Sequence, residues 1–157
     1  MEKQVKRYTA PQALAKAQDW CAYQERCQQE VRDKLYSYGL HMEDVENIIS
    51  RLISDNYINE ERFAKAYAGG KFRIKKWGRN KIRVGLRARK ISEYCMKKAL
   101  EEIDEDEYLK TLRKILEAKS KLVKEKNAIK KKYKLLTYAT SKGYEQSLIM
   151  EILNEDL

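Results

Sequence analysis

A chain of 157 residues with 43% hydrophobic content has enough apolar side chain for a packed core. Charged residues make up 37% and the net charge is +10, so that core must sit under extensive solvated surface. Six glycines and a single proline leave too little turn material for an all-β fold, and helix is expected throughout. Cys21, Cys27, Cys95 and His41 lack the paired spacing of a zinc site, so no metal and no cofactor is expected. No run reaches the roughly 18 apolar residues of a membrane span, and the N-terminus lacks the apolar stretch of a secretory signal. The expectation is a cytoplasmic protein with reduced thiols, a monomer that does not engage a membrane.

The charge is unevenly placed. Residues 1–58 carry eight Lys/Arg against nine Asp/Glu, residues 59–100 fourteen against three, and residues 101–157 twelve against twelve. Between Lys71 and Lys90 there are ten basic residues and no acidic one. A positive charge confined to the middle third points to a contact zone for an anionic partner rather than to a general solubility device.

In chain order, residues 1–10 read as a flexible tail. A first helix is expected from Pro11 to Gln24, with Leu14, Ala17 and Cys21 on one face and Pro at an early position where its missing N–H is harmless. A second runs from about Arg26 to Tyr38 on Val31, Leu35 and Tyr38, and stops at Gly39, a residue suited to the left-handed position past a helix end. A third runs from Met42 to about Ser54 with Val45, Ile48, Ile49 and Leu52 inward and Glu43 and Asp44 in its first turn. Asn59 then caps a helix carrying Phe63, Ala64 and Tyr67. The chain breaks at Trp77-Gly78 and continues into a helix that sets Ile82 and Leu86 among arginines.

The pattern repeats. Val31, Leu35, Leu40, Val45, Ile48 and Ile49 return 51 residues later as Ile82, Leu86, Ile91, Met96, Ala99 and Leu100. Another 53 residues on, they read Leu135, Ala139, Tyr144, Ile149, Ile152 and Leu153. The turn glycine Gly39 returns as Gly143, but Lys90 stands at the middle position. Either that turn differs, or a left-handed lysine costs about 1 kcal/mol relative to glycine. The expected fold is therefore all-α: three tandem three-helix-bundle repeats of about 50 residues in an elongated, curved arrangement. The units are expected at residues 11–58, 59–103 and 104–157.

No enzymatic constellation emerges. There is no GxxxxGK loop, Gly69-Gly70 alone carries little, and the acidic run from Glu101 to Glu107 suits helix starts between two units. The basic segment is more informative. Arg79, Arg83, Arg87 and Lys90 fall at i, i+4, i+8 and i+11, one stripe beside the Ile82/Leu86 core face. Like charges at that spacing repel, so the stripe is either a solvated face or a surface for nucleic-acid phosphates or an acidic protein groove. The full candidate set is Lys71, Arg73, Lys75, Lys76, Arg79, Lys81, Arg83, Arg87, Arg89 and Lys90, with a second cluster at Lys130, Lys131, Lys132 and Lys134. Trp77 is a candidate for stacking on a base or, alternatively, a core anchor at a helix entrance.

The segment Leu52–Ile91 resembles the signature of the RecX regulatory proteins, modulators of the RecA recombinase. The residues carrying the resemblance are Tyr57-Ile58-Asn59-Glu60, Arg62-Phe63-Ala64, Tyr67, Trp77-Gly78, Lys81-Ile82, Leu86 and Ile91. Arg26, Glu30-Val31, Lys34-Leu35 and Gly39 extend it upstream. Cys27 and Lys90 depart from the family's pattern, as does Gly69-Gly70, which is expected to loosen a helix that the family keeps intact. The resemblance implies a non-enzymatic, all-helical regulator. It would bind the RecA filament, contact DNA directly or through that filament, and inhibit filament extension, strand exchange and coprotease activity. The rival expectation is a helical DNA-binding protein that acts independently of RecA.

Overall fold

The computed structural model describes residues 7–155, and among these every regular element is an α-helix. They are α1 (Ala10–Tyr23), α2 (Gln28–Ser37), α3 (Met42–Ser54), α4 (Glu60–Lys75), α5 (Arg79–Ala88), α6 (Glu93–Glu101), α7 (Glu105–Leu122), α8 (Ala128–Ser141) and α9 (Gln146–Glu155). Side-chain oxygens cap several of the starts. Thr9 forms a reciprocal box with Gln12, and Asn59, Ser92, Asp104 and Asn127 each accept an amide of the first turn. The helices pack as α1–α3, α4–α6 and α7–α9, termed units 1, 2 and 3 below.

All eighteen positions of the repeated apolar register are buried, none more than 9% exposed. They do not form one continuous core. Unit 1 closes on its own cluster around Val31, Leu35, Val45 and Leu52, with Ala13 and Ala17 of α1. Units 2 and 3 share a second cluster that runs from Phe63, Ile82 and Leu86 through Tyr108 to Leu135, Tyr144 and Leu153. Cys27 is the unit 1 residue that reaches into it.

Three expectations need correction or completion. Gly69-Gly70 was expected to loosen its helix, yet α4 runs unbroken through both, packed closely along α6. Burial on that face outweighs the roughly 1 kcal/mol that each helical glycine costs. The α5–α6 turn does not differ from its counterparts. Lys90 has φ +59° where Gly39 has +86° and Gly143 has +99°. The Ile91 amide bonds Leu86 O at 3.1 Å just as Tyr144 bonds Ala139 O. The third group of helices also differs from the second: the α4 backbone lies against α6, whereas α7 and α9 each pack on α8 and meet one another through side chains such as the Arg113–Glu155 pair at 2.8 Å.

The first six residues of the expected tail lie outside the described residues. Within the remainder, the Tyr8 amide donates to Tyr38 O at 3.1 Å and its ring meets Tyr38 edge-on at 5.1 Å. Tyr8 thus covers the turn that ends α2, much as Gly78 covers the turn that ends α8.

Candidate functional site

The middle basic segment divides into cations that hold the fold and cations that face solvent. Arg79 belongs to the first group. Its side chain is only 16% exposed, lies over the Tyr108 ring at 3.8 Å, pairs with Glu145 at 2.7 Å and also pairs with Glu105. The Arg79 amide donates to the Tyr108 hydroxyl at 3.1 Å, and that hydroxyl donates to Glu145. Burial, then the Glu145 carboxylate, pushes the Tyr108 phenol well above the ordinary tyrosine range, so it stays a neutral donor. Arg89 is also engaged. It pairs with Glu30 of unit 1 at 3.3 Å, donates to Gly85 O at 3.0 Å and lies 4.8 Å above the Tyr67 ring.

The cations of the stripe expected on α5 are therefore engaged differently from one another. Arg79 turns inward to the joint with unit 3. Arg83 is half-buried and bonds Asn80 at 3.0 Å, and Arg87 reaches Glu93 at 3.3 Å on an exposed edge. Sequence spacing places Cα atoms on a face; it does not say which neighbours from another unit will claim the side chains.

Most of what remains free gathers at the elbow between α4 and α5. Arg73, Lys75, Lys76 and Lys81 are exposed there, and none pairs with a carboxylate among the described residues. Lys76 adopts φ +59° at the end of α4, which folds the chain back and sets its neighbours around Trp77. Trp77 is half-buried, packed on the shared core, with the Lys71 ammonium 4.9 Å and the Lys81 ammonium 4.7 Å from its ring centre. It anchors the elbow and orients two cations. Ile74, 79% exposed, sits among them.

The elbow is braced from unit 3. The Gly78 amide donates to Lys142 O at 2.8 Å, Asn80 N donates to Gly143 O at 2.9 Å, and the Tyr144 hydroxyl donates to Lys76 O at 2.8 Å. A Cβ on Gly78 would lie 2.4 Å from Gly143 C, so the chains approach this closely only because both residues are glycine. These bonds bring Lys142 beside the elbow, a cation that the basic run did not flag. Its signal lay in the repeat, since it precedes the turn glycine.

The second lysine cluster does not join the elbow. From Lys132 to Lys142 is roughly 15 Å along α8, and the run splits around its own helix. Lys134 reaches Glu125 at 3.3 Å beside Tyr133 and Tyr138, Lys130 is exposed, and Lys131 and Lys132 face a groove between α7 and α8. Lys132 hydrogen-bonds Asn154. Lys90 stands apart from both, over the joint between units 1 and 2.

Cys21, Cys27 and Cys95 are buried and unpaired, and burial raises the thiol pKa of Cys21 and Cys27. Among the described residues no His, Cys, Asp and Glu side chains cluster to hold a metal, and no helix is long and apolar enough to cross a membrane. The fold and its elbow define a class: a chain of three-helix units whose distinctive surface is a braced, exposed cationic corner.

Comparison with known proteins bears out the three-helix organisation. Residues 13–52 match the family model of the first three-helix domain of RecX, and residues 59–100 that of the second. The regulatory protein RecX of Thermotoga maritima is 32% identical over 137 residues, covering 85% of this chain and 77% of the relative. That of Clostridium perfringens strain 13 is 31% identical over 137 residues, covering 83% of this chain and 64% of the relative. That of Bacillus mycoides is 25% identical, covering 91% and 53%. The chain thus spans between about half and two thirds of the length of the last two relatives. The crystal structure of RecX from Lactobacillus salivarius superposes with a TM-score of 0.83 at 23% identity, over 93% of this chain and 95% of that one. A second crystal structure of a regulatory protein RecX gives 0.84 at 21%, over 92% and 71%. The chain belongs to the RecX family of regulatory proteins.

Proposed function

We propose that this chain is a non-enzymatic cytoplasmic regulator that binds the filament of a RecA-type recombinase. Binding would limit filament extension and with it strand exchange and coprotease activity, and so modulate recombinational repair and the SOS response. The observation that carries this reading is the elbow. Four exposed cations without carboxylate partners are held on a corner that two units brace. In a family of regulatory proteins, such a corner suits the phosphates or acidic side chains of a nucleoprotein filament. Tandem units add avidity by meeting successive subunits of a repeating target.

The units are proposed to divide at residues 58/59 and 103/104. The contact set is proposed as Arg73, Lys75, Lys76 and Lys81, with Lys71 and Lys142 beside them. Arg83, Arg87, Lys90 and the lysines of α8 supply weaker, peripheral attraction. Arg79 and Arg89 serve the joints instead.

The test replaces Arg73, Lys75 and Lys81 together by Gln and measures binding to RecA filaments and to bare DNA across a salt series. Retained helicity and melting with a strong loss of filament binding support the proposal. If phosphates are the contacts, the salt dependence on duplex DNA flattens by up to about 0.9 per lost contact. If RecA carboxylates are, bare-DNA affinity barely changes. Equal losses on bare DNA, with no preference of the parent for filaments, favour a DNA-binding protein that acts without RecA. Full inhibition by a folded variant returns the elbow to a solvated face.

A further inference from the structure

We infer that the groove at the open end of unit 3 is a docking site for an acidic helical segment of a partner protein, one that presents a large apolar or aromatic side chain. The groove lies between the C-terminal half of α7 and the first turns of α8, holds about 800 Å³ and is closed by Leu153 of α9. It lies where the backbones of α7 and α9 stand farther apart than those of α4 and α6, with the Arg113–Glu155 pair at 2.8 Å crossing beside it. Its floor is Leu135 and Leu153, and its wall includes Ile129, 77% exposed. Lys131 and Lys132 stand at its rim, and Lys131 pairs with no carboxylate among the described residues.

The occupant's chemistry can be read one unit upstream. In the repeat register Lys132, Leu135 and Leu153 stand where unit 2 has Arg79, Ile82 and Leu100. On unit 2 that face is filled within the chain. The Tyr108 ring lies on the Arg79 guanidinium, while Glu105 and Glu145 take its charge. An aromatic side chain among carboxylates, at the start of a helix, is thus what this surface accepts. The start of α8 is not the receptor, because Asn127 caps its own Ile129 and Lys130 amides, whereas α5 takes Gly143 O from the next unit. The visitor therefore docks through side chains. The lining carries four cations against Glu117, which pairs with Lys121 at 3.7 Å. An apolar floor under a mainly cationic rim suits the buried face of an amphipathic acidic helix better than a phosphate backbone, which would leave that floor wet. This site is separate from the elbow and does not rest on the recombinase reading.

The probe is a fluorescein-labelled peptide copying residues 103–112 of this chain, titrated into the whole protein by anisotropy, with the contact mapped by NMR. Saturable binding is expected, with shifts at Ala128, Ile129 and Leu153. Ile129→Ser with Lys131→Gln should weaken it at least tenfold without changing the melting curve, since both side chains lie outside the core. Replacing the peptide's four carboxylates by amides, or its tyrosine by serine, should weaken it similarly. Lys124→Gln, on the far side of α7 and α8, should change it less than twofold. Any of four results would overturn the inference: no saturation at millimolar peptide, equal binding of the amide peptide, shifts confined to the Arg79 face, or displacement by a dT oligonucleotide whose own binding falls with the same two substitutions.

Discussion

The joint between units 1 and 2 and the joint between units 2 and 3 occupy the same place in the repeat, yet they are built differently. At the second joint Gly78 faces Gly143, two backbone hydrogen bonds cross, and Arg79, Tyr108, Glu145 and Tyr144 interlock over the contact. At the first joint the corresponding residues are Cys27 and Lys90. They line a groove of about 310 Å³, and among the described residues no backbone bond crosses from unit 1 to unit 2. Its ties are side-chain pairs, Arg62 with Glu25 and Arg89 with Glu30, and the second Glu25 carboxylate oxygen is buried without a hydrogen-bond partner among the described residues. A side chain in place of a turn glycine keeps backbones apart. Backbone separation then decides whether two units share a core or merely touch.

The largest effects test whether the cores are separate. Leu35→Ala and Leu86→Ala each remove a fully buried side chain and should cost about 2–4 kcal/mol. Native-state amide exchange should localise the Leu35→Ala loss to unit 1. Leu86→Ala should weaken units 2 and 3 together, and protection of unit 3 left at the parental level would break the shared-core picture.

Gly143→Ala comes next, at about 2–3 kcal/mol, because it combines a left-handed strain at φ +99° with a Cβ 2.4 Å from that of Lys81. The readout is the exchange rate of the Gly78 and Asn80 amides, which should rise together. Cys27→Ala, at the corresponding edge of the looser joint, should cost roughly half as much.

Arg79→Ala should destabilise by about 1–2 kcal/mol, a value reduced for solvent because Glu105 is 61% exposed and only the Glu145 leg is well covered. Arg83→Ala and Arg87→Ala should stay within about 0.5 kcal/mol. Equal, small values at all three positions in urea melts would mean that Arg79 does not lock the second joint.

Lys90→Gly is a small change and carries the opposite sign. Relief of the left-handed lysine should stabilise by about 0.5–1 kcal/mol, lessened by the freedom glycine gains in the unfolded chain. A loss of stability would show that the Lys90 side chain holds the first joint closed, which would sharpen the contrast from the other direction.

The sequence by itself determined the helices, their caps and the inward face of each unit, because these depend on neighbours three or four positions away and on a register that recurs along the chain. It also placed the positive charge in the middle third. Tertiary structure alone decided what each cation touches within the chain. Whether Arg79 meets a phosphate or Glu145 depends on a contact across 66 residues, and helical spacing carries no information about it. The same holds for Gly78 and Gly143. Each reads locally as a break or a turn, and only the meeting of two backbones that leave no room for a Cβ makes them the seam that joins units 2 and 3.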